Sequence, residues 1–281
     1  MSSKILLTGG GGYLGSHFLE NSSDKDIITI SSKNRKNFIK CDLINNEDVK
    51  NLSSSYNFTK IINLAGFVPK SSVEYNFEIN DINKIITENI ISNFQCNLFH
   101  FSTQAIYENN KNKIIKENTK IIKPSSKYSI SKLICEKHII KKYNGKYIII
   151  RLPGVFGGLR NNGIIYNNIT HILKNNSKNF KFDKPKIWST IYYKDIIHLL
   201  SKIIKIKIKR NNTINYNYYN QPSLDEVINH ISEKILKKKY SINSKKNDFY
   251  FLQDNRINTL GKINYSLNKR LNEYIRYLNV K

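Results

Sequence analysis

A chain of 281 residues with 40% hydrophobic content can bury one large α/β domain, or a nucleotide-binding domain with a smaller appendage, and is too apolar to be disordered. No apolar run approaches the roughly 18 residues that cross a bilayer, and Ile5-Leu6-Leu7 meets glycines too early for a signal peptide, so a cytoplasmic protein is expected. The formal charge of +25 alone would point to nucleic acid, but Lys, Asn, Ile and Tyr are overused together along the whole chain; it reads as a compositional bias that attracts anions, with neither nucleic acid nor membrane as partner.

Lys4 to Thr8 is a short apolar run, followed at once by four glycines and by Tyr13 to Glu20, which has helical composition: strand, tight turn, helix. Ile27 to Ile30 reads as a second strand, Asn37 to Cys41 as a weaker third, and Ile61 to Leu64 as a fourth. Ile79, Ile82, Ile86, Ile90 and Phe94 recur at helical spacing before a strand at Asn97 to Ser102. A helix over Ser126 to Lys142 and a strand over Lys146 to Arg151 follow. This alternation predicts a doubly wound parallel sheet, with its ligand crevice at the carboxyl ends of the strands. Beyond Gly163, helices at Ile164 to Lys174, Lys194 to Ile204, Ser223 to Leu236 and Ser266 to Leu278 suggest a small, mostly helical lobe. The expected division is a dinucleotide-binding domain over 1–160 and a substrate lobe over 161–281, some of whose segments return to the sheet.

Cys41, Cys96 and Cys135 lie far apart, are odd in number and lack C-x-x-C spacing. They read as reduced thiols, and no metal site is expected.

Gly9, Gly12 and Gly15 stand at G-x-x-G-x-x-G spacing between a strand and a helix, where side chains would block the turn, the approach to a pyrophosphate, or helix packing. Gly10, Gly12 and Gly15 satisfy G-x-G-x-x-G as well. The acid expected about 20 residues later to read a ribose is missing, because no Asp or Glu lies between Asp26 and Asp42. Instead the second strand runs into Ser31-Ser32-Lys33-Asn34-Arg35, hydroxyls and cations that suit a 2′-phosphate, so NADP(H) is preferred, with NAD(H) as the other possibility. Tyr128 and Lys132 form Y-x-x-x-K on one helix face. Four other Tyr-Lys pairs share that spacing by composition, from Tyr56/Lys60 to Tyr277/Lys281, so the weight rests on chain order: Tyr128 opens the helix between the strand ending in Phe101-Ser102-Thr103 and the strand leading to Arg151-Leu152-Pro153-Gly154.

Thr8 to Gly15 (TGGGGYLG), Cys41-Asp42-Leu43, Asn63-Leu64-Ala65-Gly66, Ser102 to Tyr107 (STQAIY), Tyr128 to Lys132 (YSISK) and Arg151 to Gly157 (RLPGVFG) occur in the order of the extended short-chain dehydrogenases/reductases, and the chain resembles their nucleotide-sugar epimerase/dehydratase family. The resemblance is clear over about residues 4 to 160 and faint through Ser189 to Asp195 and Asp254 to Gly261. It implies that Tyr128 is the general acid/base, that Lys132 favours its phenolate and holds the nicotinamide ribose, and that Thr103 hydrogen-bonds the reacting oxygen. A phenol with a pKa of about 10 needs such help at neutral pH. The expected cofactor contacts are Gly9, Gly12, Tyr13, Leu14, Gly15, Ser31, Ser32, Arg35, Asp42, Leu43, Ala65, Gly66, Tyr128, Lys132 and Pro153. Substrate contacts fall to Thr103, Gln104, Arg160 and Trp188.

Two departures from the family pattern narrow the reaction. Gln104 and Ala105 stand where dehydratases of the family carry Asp-Glu, which argues against dehydration. Trp188 stands where many members hold the substrate phosphates with Arg, leaving Arg160 or Arg256 as replacement. The expectation is therefore an NADPH-dependent reductase of a keto group, at C4 by preference, on a nucleotide-activated sugar. An epimerase with retained NAD is the alternative, and a non-catalytic dinucleotide-sensing or nucleic-acid-binding module is the alternative of another class. The family also implies a homodimer.

Overall fold

A computed structural model describes residues 3–68, 77–111, 114–175, 189–219, 222–237, 250–251, 260–261, 263 and 265–279. Strands β1 (Lys4–Thr8), β2 (Ile27–Ser31), β3 (Ile39–Lys40), β4 (Phe58–Asn63), β5 (Asn97–Thr103), β7 (Tyr147–Leu152) and β10 (Asn212–Asn215) form one sheet in the order β10-β7-β5-β4-β1-β2-β3. The pairings of β1 with β2 and β4, of β4 with β5 and of β2 with β3 are parallel. Leu6, Leu7, Ile61, Ile62, Leu98, Phe99, Ile149 and Ile150 lie in the central strands and expose essentially nothing. Burial on both faces of the sheet accounts for the unbroken apolar runs that mark these strands in the sequence. Strand order reverses at β1 and β4, so the loops after them flank the crevice of a doubly wound sheet.

Helices α1 (Tyr13–Glu20), α2 (Asn46–Ser55), α3 (Phe77–Asn93) and α4 (Lys127–Lys142) join these strands. The helical spacing of Ile82 to Phe94 is realised in α3, where Ile86, Ile90 and Ile91 are buried. α2 escaped the sequence reading because only Val49 and Leu52 are buried among its 10 residues. Its start was marked nonetheless: the Asn45 side chain accepts from the backbone of Glu47 at 2.9 Å. The third strand is shorter than expected, since Asn37 sits at φ 66°, outside the β region.

β4 begins three residues earlier than its apolar run, because Lys60 is buried within it at 7% exposure. Its ammonium donates to the carbonyls of Ile203, at 2.7 Å, and Ile204 in the last turn of helix α6 (Tyr193–Lys205). A cation at a helix C-terminus satisfies carbonyls with no partner inside the helix. Burial pulls the Lys60 pKa down to about 8, with Asp24 acting in the opposite sense. In the run that follows, Ile208 is buried while Lys205, Lys207, Lys209 and Arg210 are exposed, a solvated edge rather than a core segment. Burial first of all raises the thiols of buried Cys41 and half-buried Cys96 to about 11, which disfavours the reactive thiolate.

The chain divides into two units. The first comprises 1–109, 120–151 and 197–214 and contains the sheet. The second comprises 110–119, 152–196 and 215–281. It holds α5 (Ile164–Asn175), α7 (Leu224–Leu236) and α8 (Leu267–Asn279), with two short parallel pairs: β6 (Ile114–Ile115) with β11 (Tyr250–Phe251), and β8 (Gly154–Phe156) with β9 (Thr190–Tyr192). Among its buried apolar side chains lies an ion network centred on Arg270 and Asp195. Arg270 Nε donates to Asp195 at 3.0 Å, Tyr218 Oη donates to the same carboxylate at 2.6 Å, and Arg270 Nη1 reaches Glu273 at 2.9 Å. Burying this guanidinium is tolerable because each of these charged groups is matched by another.

Candidate active site

The glycine turn is held by close approach. Gly9 has φ 70°, and a Cβ there would lie 2.7 Å from the Ala65 nitrogen in the loop after β4. A Cβ on Gly15 would lie 2.3 Å from the Gly9 carbonyl oxygen, so only glycine lets α1 rest on its own turn. Gly12 N–H closes the turn onto the Gly9 carbonyl at 3.0 Å, and as the N-cap of α1 it brings no side chain to the first helical turn. Tyr13 and Leu14 open that turn, half-buried. A helix N-terminus approached by side-chain-less backbone is the cradle that a pyrophosphate requires, so these residues fit a dinucleotide.

At the end of β2, the Ser31 hydroxyl accepts from the Lys33 N–H at 3.2 Å, and Ser32 is exposed. Arg35 folds back: its guanidinium carbon lies 4.6 Å from the centre of the Phe38 ring. Nη1 is so near Gly11 that a Cβ there would stand 2.3 Å away. Asp42 closes a local turn, its carboxylate accepting from Ile44 N–H at 3.1 Å, and Leu43 is buried.

A polar ladder runs from the ends of β1 and β4 to the middle of β5, where register aligns Thr8 with Asn63 and Asn63 with His100. Thr8 Oγ1 donates to Asn63 Oδ1 at 2.6 Å, and Asn63 Nδ2 donates to His100 Nδ1 at 3.0 Å. Burial, and then Lys132, hold the His100 pKa well below its ordinary value, so the ring is neutral and accepts at Nδ1. Thr8 Oγ1 in turn accepts from the Ala65 N–H at 3.2 Å and fixes the loop that carries Ala65 and Gly66.

Lys132 is buried on α4 and donates to the Phe101 carbonyl of β5 at 2.7 Å, two residues before Thr103. Burial lowers its pKa, with Cys135 and Glu136 opposing. A Cβ on Gly66 would lie 3.9 Å from its nitrogen, so the Gly66 loop and the ammonium are neighbours. The start of α4 is tied to the short 3-10 turn Gln104–Tyr107 after Thr103. Ser129 Oγ donates to the Ala105 carbonyl at 3.1 Å, and the Glu108 carboxylate accepts from Ser126 N–H at 2.6 Å. Thr103 caps that turn, its hydroxyl accepting from Ala105 N–H at 3.1 Å. Tyr128 lies half-buried between Ser126 and Ser129, one helical turn before Lys132. Thr103, Tyr128 and Lys132 therefore share one end of β5 and the adjoining turn of α4.

Gln104 is buried and donates to the Arg151 carbonyl at 3.3 Å, which turns its amide toward β7. Pro153 is buried directly after β7. Arg160 is engaged locally, its Nε donating to Asn162 at 2.8 Å and its Nη1 to the Val155 carbonyl at 3.1 Å. Trp188 and Arg256 lie outside the described residues. Sequence reading missed Asn83 on α3, whose buried amide grips the Phe67 backbone, and Glu136, which binds both Ser102 and Arg151. Glu136 follows Lys132 by one helical turn on the buried side of α4, a carboxylate whose burial signals a partner.

The sequence profile of the NAD dependent epimerase/dehydratase family matches residues 5–217. A protein of Methanocaldococcus jannaschii named "Putative UDP-glucose 4-epimerase" is 28% identical over 259 residues, covering 82% of each chain. Among solved structures, UDP-glucose 4-epimerase of Thermotoga maritima with UDP-glucose superposes with a TM-score of 0.75 at 18% identity, covering 99% of both chains. The dTDP-4-dehydrorhamnose reductase of Bacillus anthracis, in complex with NADP, does so with a TM-score of 0.74 at 18% identity, covering 99% of this chain and 100% of that one. These two likenesses establish the doubly wound fold. The family match spans the glycine turn, Thr103, Tyr128 and Lys132, and by it the chain belongs to the NAD dependent epimerase/dehydratase family, the extended short-chain enzymes that its motifs anticipate.

Proposed function

We propose that this chain reduces a keto group, at C4 by preference, of a nucleotide-activated sugar with NADPH. The observation that carries this reading is Arg35 against Gly11, with Ser31 and Ser32 beside it and no carboxylate between Asp26 and Asp42. A ribose hydroxyl calls for an acceptor at this place, and a 2′-phosphate calls for a cation. The Gly9, Gly12 and Gly15 turn would hold the pyrophosphate, and Ala65 and Gly66 would line the dinucleotide toward Lys132. When bound, the dinucleotide supplies the hydride to the carbonyl carbon. Tyr128 gives its phenolic proton to the carbonyl oxygen, Thr103 donates a hydrogen bond to that oxygen, and the Lys132 ammonium stabilises the phenolate left behind. Gln104, Arg160 and Trp188 are assigned to the sugar nucleotide, and the working form is taken as a cytoplasmic homodimer.

The second reading, an epimerase that retains NAD and oxidises and re-reduces one carbon, is favoured by the name of the Methanocaldococcus relative. One experiment separates them. The purified protein is denatured and its released nucleotide identified, and NADPH consumption is followed with a 4-keto sugar nucleotide. The reductase reading expects no tightly held NAD and steady NADPH oxidation; bound NAD with no net NADPH consumption overturns it in favour of the epimerase.

A further inference from the structure

We propose that Asn83 is a positioning residue, which clamps the loop after β4 to the helix bearing Lys132 and thereby sets dinucleotide affinity. This rests on the dinucleotide-using reading above. Asn83 lies on α3 at 3% exposure, away from the glycine turn and from Tyr128 in sequence, and no motif marks it.

Its side chain works in both directions. Oδ1 accepts from Phe67 N–H at 2.7 Å, and Nδ2 donates to the Phe67 carbonyl at 3.3 Å, so one amide pairs with both polar groups of one loop residue as a neighbouring strand would. Nδ2 also donates to Ser131 Oγ at 3.0 Å, immediately before Lys132. The Asn83 carbonyl accepts from Cys135 Sγ, one turn after Ser131, at 3.3 Å. A single residue thus joins the Phe67 backbone to the turn of α4 that holds Lys132.

The loop between those contacts is short. Thr8 fixes Ala65 from the β1 side, Asn83 fixes Phe67 from the α3 side, and Gly66 lies between them. A Cβ on Gly66 would stand 3.2 Å from Asn83 Oδ1 and 3.9 Å from Lys132 Nζ. Gly66 backbone facing Lys132 is the surface assigned above to the dinucleotide, so its position relative to the ammonium depends on Asn83. A neutral amide is the fitting side chain: an aspartate would lose the donor to the Phe67 carbonyl and set a second anion-like oxygen against it.

The test measures NADPH and NADH binding by fluorescence titration, with amide hydrogen exchange at Phe67 in the absence of nucleotide. Asn83→Ala should weaken the better-bound dinucleotide about tenfold and speed exchange at Phe67, consistent with losing two or three buried hydrogen bonds. Leu52→Ala, which destabilises the fold away from this loop, should leave affinity within about twofold, separating positioning from general loosening. If Asn83→Ala does not fold, Ser131→Ala, which removes one partner of the same amide, decides by an expected loss of about threefold. Wild-type affinity in the folded Asn83→Ala variant, or in Ser131→Ala where that variant decides, overturns the proposal while leaving the dinucleotide reading intact. Failure of the wild-type protein to bind either dinucleotide overturns both.

Discussion

Arg151 on β7 and Glu136 on α4 meet in a paired, buried contact, with Nη2 to Oε2 at 2.7 Å and Nε to Oε1 at 3.1 Å. Ser102 Oγ donates to the same carboxylate at 2.5 Å, and the guanidinium also donates to Tyr107 Oη. The pair lies one helical turn beyond Lys132 and seats α4 on the ends of β5 and β7. Removing one partner leaves the other charge buried and unmatched, so Glu136→Ala should cost about 3–5 kcal/mol. The urea midpoint by circular dichroism checks this; an unchanged midpoint contradicts the assigned role.

Tyr128→Phe keeps the ring and deletes the transferable proton. Turnover should fall by about 10²–10⁴. Dinucleotide binding should hold within a few-fold, so single-turnover kinetics at saturating NADPH isolates the chemical step. Turnover at the wild-type rate would remove Tyr128 from the mechanism.

Arg35 offers the guanidinium assigned to the 2′-phosphate. Arg35→Ser should weaken NADPH about 10–100-fold and leave NADH nearly untouched, the span expected for hydrogen bonds to a charged group. Equal losses for both dinucleotides would mean that Arg35 reads something other than the extra phosphate.

Acid should loosen the second unit through Glu273. Burial works to raise its pKa, but hydrogen bonds from Lys194 and Arg270 outweigh it and hold the carboxyl below its ordinary value. A carboxylate depressed on folding adds stability above its unfolded value, about 4.3, and that stability is lost as pH falls through the lower folded value. The urea midpoint should drop in this window, and Glu273→Gln should flatten the drop. Parallel curves for the two proteins would show that Glu273 does not carry it.

The sheet was readable because its central strands are buried on both faces, which leaves runs such as Tyr147 to Ile150 without an interrupting charge. The glycine turn was readable because backbone crowding at Gly9 and Gly15 forbids any other residue. α2 and β10 were not, since Asn46 to Ser55 buries only two side chains and Asn212 to Asn215 is polar at both ends. Lys60 misled the reading of β4 because its partners stand more than 140 residues further on. Tyr128 and Lys132 were legible only by chain order, since the Tyr-x-x-x-Lys spacing recurs in this composition. Asn83 carries no periodic or motif signature, and what it holds is backbone distant in sequence.

The ammonium of Lys60 has a consequence for how the chain comes off the ribosome. Its carbonyl partners at Ile203 and Ile204, and the strand β10 beside β7, are synthesised last among the pieces of the sheet-bearing unit. Until they emerge, the Lys60 ammonium stays in water with its side of β4 uncovered, and β7 presents an open edge to other nascent chains. The sheet-bearing unit therefore reaches its final form only after most of the polypeptide has been translated, and a truncation product ending after β7 should aggregate rather than persist as a small folded domain.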